Sequence, residues 1–158
     1  MELHDSLGST QTRAHELARG GVRRALVAAR EQTAGRGRLT RRWESPKGGG
    51  IYFSILFRPS LPSSKVHLVN VAAALSVSEA VRSLLGVETS LKWPNDLLLS
   101  CSSADSSAGA GRDAVDRETG GKICGILSES VFRGASLDYC ITGIGINFYA
   151  PKGRSPYE

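Results

Sequence analysis

Four short stretches hold the residue types from which carboxylate and phosphate chemistry is built. The first is Gly35-Arg36-Gly37-Arg38, with Arg41 and Arg42 close behind. Glycines let a backbone approach a ligand closely, and arginine forks match carboxylate and phosphate oxygens. A dinucleotide fingerprint fails here because its third glycine would fall on Thr40, and a P-loop fails because no Gly-Lys-Ser/Thr follows. The second stretch, Lys92-Trp93-Pro94-Asn95-Asp96, sets a cation, an aromatic ring and a carboxylate around a turn. A carboxylate beside a phosphate site is a natural magnesium ligand, which makes Asp96 the candidate for Mg²⁺. In the third, Lys122 follows Gly120-Gly121 and opens an apolar run. A lysine at a sheet end can bring its ammonium over a reacting carboxylate and phosphate. The fourth, Gly143-Ile144-Gly145-Ile146-Asn147, offers a strand bare of side chains for a ligand to lie on, with Asn147 at its rim.

Two residues bracket the arginine loop. Gln32 offers an acceptor and a donor together, as a cyclic urea or a base edge requires, and Trp43 could stack on a purine. Each feature alone also has a plainer explanation. The loop could be a solvated basic turn, the Asn-Asp pair a common turn, and Lys122 a strand-end lysine reaching for water. Trp43 could be ordinary packing, and the glycines could admit a helix against the sheet.

The elements that must position these residues follow from pattern. A helix is predicted from about Gln11 to Arg19, capped by Ser9 or Thr10, with Ala14, Leu17 and Ala18 inward and Gly20-Gly21 as its stop. Arg24 to Arg30 reads as a buried strand, Glu31 to Gly50 as one long functional loop, and Ile51 to Phe57 as a strand by its alternation. Ser63 or Ser64 should cap a long helix running to about Leu85, with Val66, Val69, Ala73, Val77, Ala80, Val81 and Leu84 on its buried stripe. Glu88 to Lys92 and Asp96 to Leu99 read as strands around a Trp93-Pro94-Asn95 turn. Lys122 to Phe132 should pair with the latter as a hairpin, and Leu137 to Asn147 should close the sheet. Ser100 to Gly121, rich in Ser, Ala and Gly, reads as a mobile insertion, and residues 151–158 as a tail. Two helices and about six strands make an α+β protein with a mixed sheet.

The chain has 158 residues, 41% hydrophobic and 22% charged, which is one globular domain's worth and excludes wholesale disorder. Lys and Arg number 20 against 15 Asp and Glu, and the net charge of +5 favours anionic ligands without demanding nucleic acid. The apolar stretch Val69 to Val77, broken by Asn70 and Ser76, is too short to span a bilayer. No secretory signal follows Met1. The three cysteines, Cys101, Cys124 and Cys140, have no metal or redox spacing and fit reduced thiols in a cytoplasm.

Taken in order, GSTQ, EQTAGRGRLTRRW, KWPNDL, GKICGIL and GIGIN resemble the catalytic domain of biotin protein ligases, from about Ser6 to Phe148. The resemblance implies biotin and ATP as substrates, Mg²⁺ as cofactor and biotinyl-5′-adenylate as intermediate. It also implies a lysine of a biotin carboxyl carrier protein as acceptor. By the same resemblance Ser9, Thr10 and Gln32 hold the ureido ring, and Gly35, Arg36, Gly37 and Arg38 form the loop that closes over biotin and retains the adenylate. Trp43 covers adenine, and Lys122 sits between the biotin carboxylate and the α-phosphate. Asp96 serves adenylation, and Lys92, Asn95 and Asn147 belong to the ATP site.

Two residues depart from the family pattern. Gln11 stands where Asn is usual, which lengthens the reach of an amide, and Thr40 stands where Gly is common, which should stiffen the loop. The reading places one catalytic domain over residues 1–150, with no helix-turn-helix ahead of Ser9 and no C-terminal β-domain. It therefore expects neither sequence-specific DNA binding nor a membrane, and leaves a homodimer open. A lipoate or octanoate ligase or transferase of the same fold is the nearest alternative. A nucleic-acid-binding module built on the basic loop is an alternative of another class, disfavoured because Lys and Arg are spread along the chain.

Overall fold

Alternation of inward and outward side chains makes β-structure wherever one face can be buried. Here it produces a single seven-stranded sheet. The computed structural model describes residues 1–100 and 119–148, leaving aside the side chains of 119 and 120. Strands run β1 (Glu2–His4), β2 (Ala25–Ala29), β3 (Gly50–Phe57), β4 (Thr89–Lys92), β5 (Asp96–Ser100), β6 (Thr119–Arg133) and β7 (Ser136–Asn147). Their spatial order is β1-β2-β3-β7-β6-β5-β4. Only β1 and β2 pair in parallel, so the sheet is mixed and the α+β expectation holds.

Several details correct the expectations. The sequence reading misses β1, whose three residues are too few to show a period. β7 does not close the sheet; it lies at its centre between β3 and β6. β6 begins at Thr119, so Gly120 and Gly121 are strand residues rather than the end of the insertion. The remainder of that insertion, and the 151–158 tail, lie outside the described residues.

Two helices cover the two faces. Helix α1 (Thr10–Arg19) starts as expected: Ser9 is its N-cap, with Oγ accepting from the Thr12 N–H at 3.5 Å. Ala14 and Ala18 pack with Val27, Leu56, Tyr139 and Ile141 into the core of that face. Helix α2 (Leu68–Leu85) packs Ala74, Val77 and Val81 on Leu97, Cys124, Ile126 and Ile144 of the opposite face. Neither Ser63 nor Ser64 caps it. They form a 3₁₀ turn (Ser63–Lys65), and α2 begins after His67 with no side-chain cap. Its stripe is also narrower than expected, since Ala80 is exposed and Leu84 is 81% exposed. The stretch from Ser63 to Leu85 is long and apolar enough to cross a membrane, contrary to the sequence reading, although here one side of it packs on the sheet. Between α2 and β3 runs an apolar groove of about 770 Å³, with Phe53, Leu84 and Phe148 among its walls.

Candidate active site

The site forms on the α1 face, where helix, loop and sheet supply side chains from six parts of the chain. The loop from Glu31 to Gly49 has no regular element, as expected, but it is tied down. Gln32 N–H bonds Ser45 O at 3.0 Å, Trp43 N–H bonds Gly35 O at 3.0 Å, and Gly37 N–H bonds Arg41 O at 2.8 Å. Gly35 is required sterically, because any Cβ there would run into the Trp43 carbonyl. At the loop tip Leu39 and Thr40 both take positive φ, 52° and 65°. That region is strained for a β-branched residue.

The residues assigned to a urea-like ring do come together. Ser9 and Thr10 are buried at the start of α1. Gln32 Oε1 accepts from the Thr10 N–H at 2.8 Å and lies 3.0 Å from the Thr10 hydroxyl, while its Nε2 donates to Ser45 Oγ at 2.8 Å. Ser45 and Ser54 belong to this cluster and were missed by the sequence reading. Ser54 Oγ lies 2.8 Å from Thr10 Oγ1 and donates to Gln11 Oε1 at 3.0 Å. A serine on the inward register of β3, between Tyr52 and Leu56, was the available signal.

Lys122 reaches the site by a break in the strand. Plain alternation would put it on the face of Cys124 and Ile126, under α2. Between the pairs Leu97↔Cys124 and Leu98↔Lys122, β5 advances one residue and β6 two, so Ile123 is a bulge. A bulge re-aims the side chains beside it. The Lys122 ammonium thereby meets Asp96 Oδ1 at 2.8 Å and stands 4.9 Å from the centre of the Trp43 ring. Asn95 Nδ2 donates to the same Asp96 oxygen at 2.9 Å, and Asn95 Oδ1 accepts from Arg38 Nη1 at 3.2 Å. Asn147 Nδ2 donates to the Lys122 carbonyl at 3.4 Å. A chain from Arg38 through Asn95 and Asp96 to Lys122 therefore crosses from loop to sheet beside Trp43. Lys92, paired in register with Asp96, sits one strand further out. Arg36 is drawn elsewhere, to Glu129.

The bare strand is occupied by the protein itself. Gly125 and Gly145 are opposite one another on β6 and β7, and a Cβ on either would strike Trp43, at 2.5 Å in the case of Gly125. A Cβ on Gly143 would meet Gln11 Oε1 at 2.6 Å. These glycines seat an indole ring and a helix amide, and the alternative of helix packing against the sheet was right for Gly143. The indole Nε1 is buried without a hydrogen-bond partner. Asp96 is the carboxylate that would help hold Mg²⁺, and among the described residues no three His, Cys, Asp or Glu side chains gather as a metal cage. One carboxylate suits magnesium that arrives on nucleotide phosphates. Cys124 is no nucleophile: burial pushes its thiol up to about 12.

Known proteins share this fold. Residues 5–147 match the model of the biotin/lipoate A/B protein ligase family. The bifunctional ligase/repressor BirA of Bacillus subtilis is 37% identical over 98% of this chain, and the chain spans 42% of that protein's length. Among solved structures, the biotin protein ligase of Leishmania major in complex with biotinyl-5-AMP superposes with a TM-score of 0.69 at 27% identity, over 96% of this chain and 58% of the other. The biotin protein ligase of Aquifex aeolicus in complex with biotin and ATP gives 0.64 at 33% identity, over 95% and 54%. With its fold, its ordered motifs and a family match that runs from residue 5 to residue 147, this chain belongs to the biotin/lipoate A/B protein ligase family.

Proposed function

We propose that this chain carries out the chemistry of an ATP-dependent biotin–protein ligase. In the first step a biotin carboxylate oxygen attacks the α-phosphorus of ATP, forming biotinyl-5′-adenylate and releasing pyrophosphate. In the second, the amine of a carrier-protein lysine attacks the mixed anhydride, forming the amide, releasing AMP and giving up a proton. Both partners of the first step are anions, so its barrier is largely electrostatic. Lys122 is the cation beside the Trp43 wall and Arg38 the one joined to it through Asn95 and Asp96, and magnesium bound to the nucleotide, with Asp96 near, would supply further charge neutralisation. Ser9, Thr10 and Gln32 hold the ureido ring at the other end, Trp43 meets the adenine, and Lys92, Asn95 and Asn147 complete the ATP side. Closure of the Gly35 to Trp43 loop excludes water from the anhydride. The carrier is a biotin carboxyl carrier protein. Free, buried Cys124 and Cys140 suit a reducing cytoplasm.

The observation that carries this reading is the Ile123 bulge, which turns Lys122 onto the polar face beside Asp96 and Trp43. Thermal unfolding with ligands tests it. A native-state ligand at a hundred times its Kd stabilises by about 2.7 kcal/mol, so biotin should raise Tm, and biotin with Mg-ATP should raise it further. A shift with lipoate or octanoate and none with biotin would favour the lipoate side of the family.

A further inference from the structure

Glu129 is a half-buried carboxylate for which the reaction above has no use. It lies on β6 four residues beyond Gly125, on the same face, with its side chain 27% exposed. Its Oε1 accepts from Arg36 Nη2 at 2.6 Å and its Oε2 from Arg36 Nη1 at 3.2 Å, a clasp between residues 93 apart in the chain. The same Oε2 accepts from Gln11 Nε2 at 3.0 Å and lies 2.9 Å from His15 Nε2. His15 is itself fixed against the Tyr139 hydroxyl at 3.2 Å. A carboxylate so held is a fixed anchor point, and Arg36 is the first arginine of the Gly35 to Trp43 loop.

We propose that Glu129 is a positioning residue that clamps Arg36 and so sets the closed position of the Gly35 to Trp43 loop. The clamp is joined to the ureido end of the site. The Thr10 hydroxyl lies within reach of both Gln32 Oε1 and Ser54; when its hydrogen turns to Ser54, Gln32 Oε1 keeps the Thr10 N–H, and Ser54 donates to Gln11 and Gln11 to Glu129. Hydrogen bonds in such a chain share one direction and reinforce each other. The long amide of Gln11 makes this connection, since it also reaches the carbonyls of Leu127 and Ile141, each at 3.3 Å. Arg38 is attached differently, by a single side-chain bond to Asn95, so the two arginines of the loop are held by unequal grips. What the loop closes over rests on the ligase reading; the clamp itself does not.

The test is a double-mutant cycle read by amide hydrogen exchange over residues 35–43 without ligand, comparing the unmodified protein, Glu129→Gln, Arg36→Gln and the pair. Each single change should speed exchange about fivefold, the scale of one bidentate, partly exposed ion pair. The pair should be no faster than either single change. Exchange unchanged in Glu129→Gln, or effects that multiply in the pair, would overturn the clamp. Biotin-dependent pyrophosphate release supplies a second reading. Glu129→Gln should raise the KM for biotin about fivefold with kcat altered by less than about twofold, whereas equal damage to both together with a lowered Tm would reduce Glu129 to a structural support. If the unmodified protein releases no pyrophosphate, the ligase reading fails and the exchange cycle alone decides the clamp.

Discussion

The two faces of this sheet obey different rules. On the α1 face five polar residues, Ser9, Thr10, Gln11, Ser45 and Ser54, are buried and bonded to one another or to the backbone. On the α2 face the contacts are mostly aliphatic, and Leu84 and Leu85 of the helix stay 81% and 70% exposed beside the open groove. Burial on the second face is non-directional and tolerates an incomplete fit. On the first, each buried donor and acceptor must keep its partner, because an orphaned one costs about 1–3 kcal/mol. A ligand site needs the fixed directions of the first kind of face. The second supplies the apolar backing that keeps the sheet in place.

That contrast orders the expected effects. The largest belongs to Lys122→Ala, which removes the cation that the bulge delivers. Adenylation should fall at least about a hundredfold, by analogy with deleting one oxyanion-hole donor, while calorimetric titration still finds biotin binding. Loss of binding and turnover in equal measure would make Lys122 a binding residue.

Next comes a direct comparison of the faces. Gly145→Ala puts a methyl group into the Trp43 ring and should cost about 1–3 kcal/mol in chemical unfolding, as overpacking does. Leu84→Ala on the groove side removes three carbons and should stay within about 0.5 kcal/mol. Equal costs would dissolve the distinction between a fitted face and a loose one.

A smaller effect appears with pH. Burial pushes the Glu129 carboxyl up, but hydrogen bonds from His15 and Gln11 and the charge of Arg36 outweigh it and hold it below the usual range. A carboxylate lowered in the folded state contributes stability above its unfolded value, and that stability is lost as pH falls through the folded value. Unfolding free energy should therefore decline as pH drops below about 4.5, the ordinary glutamate value. Glu129→Gln should flatten part of that decline. Glu2, held at about 2 chiefly by hydrogen bonds from Arg13 and then His4, adds to the same acid limb and should remain in the variant.

The smallest expected effect is at the loop tip. Thr40 at φ 65° pays left-handed strain of roughly 1–2 kcal/mol, and glycine returns about 0.4–1 kcal/mol of unfolded-state entropy. Thr40→Gly should thus leave Tm level or slightly raised while speeding loop exchange. A clear fall in Tm would mean that Thr40 makes a needed contact.

How far the sequence carried this account depended on whether a feature was local. Alternation in β3, the Ser9 cap and the glycine stop after α1 are local, and all three were legible. So was the loop from Glu31, as a gap in any period. The Ile123 bulge was not, because alternation through Lys122, Cys124 and Ile126 reads as an unbroken strand and only the register with β5 reveals the extra residue. Nor could the glycines say what they accommodate. A bare strand admits a ligand, an indole ring or a helix amide equally, and here Trp43 and Gln11 take the space. Glu129 was missed because its three partners, Arg36, Gln11 and His15, lie 93 or more residues away. On α2 every apolar residue in helical period was assigned to the core, although one sheet face gave contact to only part of that stripe.

The central claim is that the polar face joins biotin to adenylate. Its most direct measurement is a mass spectrum of the purified protein after incubation with biotin and Mg-ATP, with lipoate and octanoate in parallel reactions. The account predicts biotinyl-5′-adenylate and pyrophosphate with biotin alone among the three acids, and neither product from Lys122→Ala. An adenylate formed from lipoate or octanoate but not from biotin, or biotinyl-adenylate made undiminished by Lys122→Ala, would contradict it.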